Sequence, residues 1–200
     1  MTVGEYYDAT VSLWETEGFD NARALAAMVA GYGGGTYFLD VGCGVGNMFP
    51  YLLKGANSEI VGLDVSPVML QTARERYAHE PRIFLQEGPF ERLASGGFDS
   101  IVAFNVYHHF LAPERFLRRA CRLLAEDGRL TAAYGYGRVH LNNISKLLPS
   151  GIARELSSLS EEVALWSKYF RMDCYLDSDD FLILSGVKRS PSVRERIDPL

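Results

Sequence analysis

The sequence predicts an α/β fold: a three-layer sandwich around a mostly parallel, seven-stranded sheet that ends in an antiparallel hairpin. Three observations predict it. Short apolar runs of β type alternate with helical segments over residues 36–135, and such alternation implies parallel pairing with right-handed crossovers. The run Tyr37-Phe38-Leu39 leads into Asp40 and then into glycine at alternate positions, Gly42, Gly44 and Gly46. Near the end, two β-like stretches are joined by the polar turn Asp177-Ser178-Asp179-Asp180, which reads as a hairpin.

Taken in order, residues 5–31 read as one or two helices. Tyr7, Val11 and Trp14 lie in the first, and the strong helix formers of Ala22 to Val29 in the second. Gly31-Tyr32-Gly33-Gly34-Gly35 breaks the chain before a first strand at about 36–41. Asn47 to Lys54 is a short helix stopped by Gly55. After a second strand at 59–63, Ser66-Pro67 supplies an N-cap and a proline at the first helical position, so 67–78 is a helix. Arg82 to Gln86 is a third strand and Phe90 to Ala94 a short helix. Phe98 to Phe104 is a fourth strand, and its near-continuous apolar character marks it as central. A helix over 113–125 and a fifth strand from Arg129 to Tyr134 follow. The hairpin strands run over 170–176 and 181–187.

The expected organisation is one domain over residues 1–188. It divides into N-terminal helices (1–35), a core (36–135), an insertion (136–169) and the hairpin (170–188), with 189–200 as a polar tail. At 48% apolar and 22% charged residues, the composition is that of an ordinary soluble protein. Cys43, Cys121 and Cys174 are far apart and odd in number, which gives neither a disulfide framework nor metal-ligand spacing. The start lacks the pattern of a secretory signal and no run is long enough for a membrane helix, so a reducing cytoplasm is expected. A net charge of −5 argues against nucleic acid as a partner. Arg115, Arg118, Arg119 and Arg122 form a basic cluster; the favoured reading is the solvated face of an amphipathic helix.

Chemistry concentrates at the glycine turn. Alternate glycines make a tight turn with no Cβ in the way, so a ligand can lie directly against the backbone N–H groups. A second apolar run, Glu59 to Leu63, ends in another acid, Asp64. Strand, glycine turn, helix, strand, acid is the pattern by which a βαβ unit holds an adenosine group. Gly42 and Gly44 fit the dinucleotide spacing, but Asn47 stands where the third glycine belongs and Gly46 comes one position early. Asp40, two residues before the first glycine, would repel a pyrophosphate and suit an ammonium or sulfonium. The spacing thus favours a cationic adenosine compound over a nicotinamide dinucleotide.

Four stretches then carry a family resemblance. Leu39-Asp40-Val41-Gly42-Cys43-Gly44-Val45-Gly46 resembles motif I of the class I S-adenosylmethionine-dependent methyltransferases. Gly62 to Leu70 resembles the family's second strand and the following helix, Phe98 to Asn105 its fourth strand, and Leu123 to Leu130 the turn into its fifth. The family closes its Rossmann-like sheet with the hairpin read above. The resemblance is to a small-molecule subgroup that includes quinone C-methyltransferases. It implies methyl transfer from S-adenosylmethionine to a small molecule, without metal or membrane. A dehydrogenase on a similar sheet, or a non-catalytic cofactor-binding module, stays open as an alternative.

The resemblance also distributes roles. Asp64 is expected to accept from both ribose hydroxyls, with Val65 and Met69 flanking the adenine. Glu87 stands where the family has an acid for the adenine amine, and the N–H of Gly88 follows it. Gly42, Gly44 and Gly46 wrap the sugar and methionine, with Cys43 as a small residue inside the loop. Asp40 and Asn105 serve the methionine end, and Tyr7 contacts the cofactor from the N-terminal helix. His109, just past the fourth strand, is the candidate base, with a structural role as the alternative. Acceptor recognition is left to the flanks: Trp14, and Tyr136, Arg138, His140, Asn142, Asn143, Trp166 and Tyr169, with helix packing as the equal alternative for Trp14 and Trp166.

Overall fold

A computed structural model describes residues 1–13, 35–53 and 57–189. Trp14, the expected second helix, most of the glycine-rich break, Gly55 and the tail from residue 190 lie outside the described residues.

Seven strands form one sheet: β1 (Tyr37–Val41), β2 (Glu59–Asp64), β3 (Ile83–Glu87), β4 (Phe98–Phe104), β5 (Leu124–Tyr134), β6 (Phe170–Asp177) and β7 (Leu182–Lys188). Their order is β3-β2-β1-β4-β5-β7-β6. The pairs from β3 to β5 are parallel, and β7 runs antiparallel to both β5 and β6. The expected mostly parallel sheet with its terminal hairpin is therefore what forms.

Alternation along each strand sorts the core into two layers. Leu39, Val41, Ile101, Ala103, Leu130 and Ala132 point to one face. Phe38, Ile60, Val102 and Ala133 point to the other. The first face is covered by α4 (Pro113–Leu123), α5 (Arg138–Leu147) and α6 (Leu159–Trp166), through Phe116, Leu117, Leu141 and Trp166. The second is covered by α2 (Phe49–Leu52) and α3 (Pro67–Arg76), through Phe49, Leu52 and Leu70. α1 (Val3–Asp8) precedes the sheet. Thr2 and Glu5 cap it reciprocally, and Asp8 fastens it to the start of α3 by accepting from the Ser66 hydroxyl at 2.5 Å.

Local chemistry sets the boundaries. Ser66 caps α3 by accepting from the Met69 N–H, with Pro67 at the first position. The basic cluster sits as its favoured reading had it. Arg115, Arg118 and Arg122 are exposed on α4, opposite its buried Phe116, Leu117, Ala120 and Leu123, while Arg119 donates to the Leu93 carbonyl. β5 starts five residues before the expected Arg129, because Leu124 leaves α4 directly into pairing with Phe98. Residues 125–128 then form an excursion before Arg129 pairs with Ser100, and Asp127 takes a positive φ of 58° there. Further along, Arg129 spans β7 to hold Asp173 on β6 with two contacts of 2.7 Å.

The second layer packs closely enough to require a glycine in β2. A Cβ on Gly62 would lie 2.6 Å from Phe49 Cζ and 2.9 Å from Leu85 Cδ2. Gly62→Ala is expected to destabilise the fold by about 1–3 kcal/mol through overpacking. Urea unfolding monitored by circular dichroism checks this; an unchanged midpoint would contradict the packing.

Candidate active site

Strand order reverses between β1 and β4, so their carboxyl ends open a crevice. A cavity of about 420 Å³ lies there. It brings together Asp40, Gly42, Cys43 and Gly44 from the turn after β1, Asp64, Val65 and Met69 from the β2–α3 junction, Gly88, Asn105 and His109, and Tyr7 from α1. Two expected residues are not in its lining. Glu87 ends the edge strand and its side chain stays exposed, because no further strand lies beyond β3 to enclose it. Glu91, on the short 3-10 turn Phe90–Arg92, lines the cavity instead. Gly46 is fixed by packing: with φ at 82°, its Cβ would meet Phe49 and Tyr77 at 2.6 Å.

The glycine turn works differently from an N–H cradle. The N–H groups of Gly42 and Cys43 both donate to the Leu63 carbonyl, at 2.7 and 3.1 Å. Gly44 N–H donates to Asp64 Oδ2 at 2.8 Å, and Gly46 N–H to the Cys43 carbonyl. These donors are engaged inside the protein, so the turn offers a ligand the bare surface of Gly44. A Cβ there would find no atom closer than Met69 Sδ at 3.9 Å. Gly42 by contrast is held against Val106, whose Cγ2 would be 2.5 Å from an added Cβ. Cys43 is buried and its thiol is pushed well above its ordinary range by burial, then by the charges of Asp64 and Asp40, which makes it a poor nucleophile.

Asp64 holds the crevice together. Its Oδ2 accepts from Gly44 and its Oδ1 from Ser66 N–H at 2.9 Å, which joins the turn to the start of α3. A carboxylate oxygen has two lone pairs, so each retains capacity toward a ligand hydroxyl. Asp40 has the opposite character. It is 1% exposed, and its Oδ2 has no hydrogen-bond partner among the described residues. Burial, then the charge of Asp64, raises its carboxyl well above the usual range. Asn105 Oδ1 is likewise buried without a partner there, on a residue held at a left-handed φ of 56°.

His109 is fully engaged. Its Nδ1 lies 2.7 Å from the Ile152 carbonyl, which can only accept, so Nδ1 carries the proton. Its Nε2 then accepts from the Tyr7 hydroxyl at 2.6 Å. The candidate base of the sequence reading therefore has its Nε2 lone pair engaged by the Tyr7 hydroxyl in this structure. Burial lowers the His109 pKa and keeps the ring neutral. His108 beside it is also buried, and burial, His109 and Arg154 push it down to about 2. The Tyr134 hydroxyl accepts from the His108 N–H at 2.7 Å.

The insertion residues expected from the sequence do not line the cavity; most of them fasten the segment. Trp166 is fully buried and donates to the Tyr107 hydroxyl at 3.1 Å. Tyr107 donates in turn to Glu162 at 2.9 Å, and Glu162 also holds Arg154 at 2.9 Å. Arg138 pairs with Asp177, Asn142 bonds the Leu156 backbone, Tyr169 donates to Glu114, and Tyr136 and His140 pack ring against ring. The effect is indirect: the network presents the Ile152 carbonyl that fixes the His109 tautomer. Phe90, Phe104 and Phe110 are among the wall residues that sequence reasoning missed. Their adjacency to Gly88, Asn105 and His109 was the available signal.

Two neutral buried histidines couple stability to pH. In the unfolded chain they take up protons below their ordinary pKa of 6.5, and in the folded chain they do so only at lower pH. Stability is complete above the unfolded value and is lost as pH falls below it. The melting temperature is expected to drop between pH 7 and pH 5 (both about), with a shallower slope in His108→Gln. A flat profile in the unaltered protein would contradict the neutral assignment.

A parallel sheet with a reversed terminal strand and an acid-lined crevice at its switch point is the architecture of a Rossmann-like methyltransferase fold. Residues 39–132 match the family model described as a methyltransferase domain. The methyltransferase GfsG of Streptomyces halstedii is 29% identical over 140 residues, 65% of this chain and 50% of that protein. The human mitochondrial ubiquinone biosynthesis O-methyltransferase is 28% identical over 133 residues, 58% of this chain and 36% of that protein. This chain thus spans half or less of the length of either relative. In fold it is similar to the N-methyltransferase NodS of Bradyrhizobium japonicum WM9, solved with S-adenosyl-l-homocysteine. The TM-score is 0.73 at 14% identity, over 94% of this chain and 99% of that one. Residues 39–132 thus match a methyltransferase domain, in a chain whose fold is that of the class I S-adenosylmethionine-dependent methyltransferases.

Proposed function

We propose that this chain transfers a methyl group from S-adenosylmethionine to a small molecule. The observation that carries the reading is the pair of buried acceptors, Asp40 Oδ2 and Asn105 Oδ1, without partners beside a glycine turn whose N–H groups are engaged. Such a site has a deficit of donors and of positive charge, which suits the ammonium of the cofactor's methionine part and does not suit a pyrophosphate. When bound, the cofactor supplies an electrophilic methyl group for in-line displacement. The protein's part is to bind and align. Asp64 holds the ribose, Val65 and Met69 the adenine, Gly88 its ring edge, and Gly42, Cys43 and Gly44 the sugar and methionine chain. Tyr7 closes the cleft from α1. Glu87 reaches the adenine amine from the rim of the cleft.

The same reading takes residues 1–188 as one domain with 136–169 as the acceptor-side insertion. No helix among the described residues is long and apolar enough to cross a membrane. Three free cysteines support a reducing cytoplasm, and the charge of −5 supports a small molecule rather than a nucleic acid as partner. Labelled S-adenosylmethionine incubated with the protein and a metabolite extract tests the reading. Label transferred to a low-molecular-weight product is the expected result. Cofactor binding with no transfer across broad extracts would favour a non-catalytic module.

A further inference from the structure

α1 is attached to both banks of the cleft. On one bank Asp8 accepts from the Ser66 hydroxyl at 2.5 Å and from Val68 N–H at 3.4 Å. Gly4 comes so close that an added Cβ would lie 3.0 Å from the Val65 carbonyl oxygen. On the other bank the Tyr7 hydroxyl meets His109 Nε2 at 2.6 Å, with the two rings edge to face. Burial holds the Tyr7 hydroxyl above its ordinary pKa range, so it keeps its proton and donates. Val3 and Tyr7 both line the cavity, which makes α1 part of its wall.

The His109 attachment is held in place from outside the cavity. His109 ends the 3-10 turn Tyr107–His109, and residues 152–162 of the insertion clasp that turn. The Ile152 carbonyl accepts from Nδ1 at 2.7 Å. Arg154 grips the carbonyls on either side of His109: its N–H donates to His108 at 2.9 Å and its Nε to Phe110 at 3.1 Å. Its guanidinium lies 4.8 Å over the Tyr107 ring, and Nη1 donates to Glu162 at 2.9 Å. Glu162 also accepts from the Tyr107 hydroxyl at 2.9 Å and from Ser157 N–H at 3.2 Å. A planar fork can reach a carbonyl and a carboxylate together, which the single ammonium of lysine does not. The ion pair is deeply placed, with side chains 15% and 3% exposed, so weakening one partner is felt by the other. Ile152, Arg154 and Glu162 do not line the cavity.

We propose that Arg154 and Glu162 are positioning residues that keep α1 closed over the cleft, acting through the Ile152 carbonyl, His109 and Tyr7. For the cofactor, the inference rests on the methyltransferase reading above. With the Ile152 carbonyl in place, the imidazole proton stays on Nδ1 and the Nε2 lone pair faces Tyr7. Once the clasp loosens, the ring is free to turn and to carry its proton on Nε2, which then offers Tyr7 no lone pair. α1 keeps its Asp8 attachment and loses the other, so it opens more often. The ion pair thereby sets how long a bound cofactor is retained, although it touches neither the cofactor nor the cavity.

The test uses the full chain, Arg154→Lys, the milder Glu162→Gln, and each of these combined with Tyr7→Phe. Three quantities are read: hydrogen exchange of the α1 amides and the imidazole nitrogen shifts of His109, both without ligand, and the dissociation rate of S-adenosylhomocysteine. In Arg154→Lys, exchange and dissociation should both be about three- to tenfold faster, the net worth of one hydrogen bond. The His109 shifts should move from the Nδ1-protonated tautomer toward a mixture of the two. Glu162→Gln should change all three in the same direction. On top of Tyr7→Phe, either substitution should alter both rates by less than about twofold, because the contact it acts through is already gone. The same factor in both backgrounds would mark a merely structural role and overturn the proposal. Unchanged rates and an unchanged tautomer in both single variants would overturn it as well. Absence of S-adenosylhomocysteine binding to the unaltered protein would instead overturn the cofactor reading, and the two ligand-free measurements would still decide the clasp.

Discussion

Asp64→Ala is expected to weaken S-adenosylhomocysteine binding by more than a hundredfold and to lower the melting temperature in the same variant. Both effects come from one carboxylate. Its two oxygens accept from Gly44 N–H and Ser66 N–H, and so lock the glycine turn to the start of α3. Their remaining lone pairs are the proposed partners of the ribose hydroxyls. Charge-assisted hydrogen bonds contribute about 1.5–3 kcal/mol each, so two lost to the ligand amount to roughly a hundredfold or more in affinity. The buried donors left at Gly44 and Ser66 account for the loss of stability. Asp64→Asn keeps one acceptor oxygen and should fall between the two. Calorimetric titration and thermal melts of both variants check this; wild-type affinity in Asp64→Ala would refute the ribose role.

A second large effect is expected at Asp40. Burial and the neighbouring charge of Asp64 hold its carboxyl well above the usual range in the ligand-free protein. A bound ammonium favours the ionised form, so binding expels a proton. The sign follows: an acid whose pKa is high when free and lower when bound makes binding tighten as pH rises toward the free-state value. The limiting slope is about tenfold per pH unit. Titrations of S-adenosylhomocysteine in two buffers of different ionisation enthalpy should give different apparent heats, with close to one proton released below that value. Asp40→Asn should bind at least tenfold more weakly and release none. Equal heats in both buffers for the unaltered protein would contradict a protonated Asp40.

Much of the fold was legible because its signals are local. The apolar run of β4, the Ser66-Pro67 start of α3 and the polar turn of the hairpin each write their geometry into a few adjacent residues. The early start of β5 was not legible, since Leu124 belongs by pattern to the helix before it and pairs with Phe98 only in the assembled sheet. At the site, Asp40, Asp64, Asn105 and His109 reach the cleft because each ends or follows a parallel strand. Glu87 obeys the same rule and stays outside, because sequence position does not show that β3 is an edge. Trp166 read equally as a recognition residue or as helix packing and is a core residue; its partner Tyr107 is distant in sequence. The contact that most alters the chemistry, Tyr7 on His109, joins residues 102 positions apart and leaves no local trace. The turn's N–H groups show the same limit: alternate glycines announce a turn, and only the fold shows that Leu63 and Asp64 engage its donors.

The crevice is proposed to hold a cationic adenosine cofactor rather than a pyrophosphate-bearing one. Calorimetric titration of the full chain with S-adenosylhomocysteine and, separately, with NADH tests it most directly. Saturable one-to-one binding of S-adenosylhomocysteine, with no heat from NADH, is the predicted result. Tight NADH binding with no response to S-adenosylhomocysteine would contradict it.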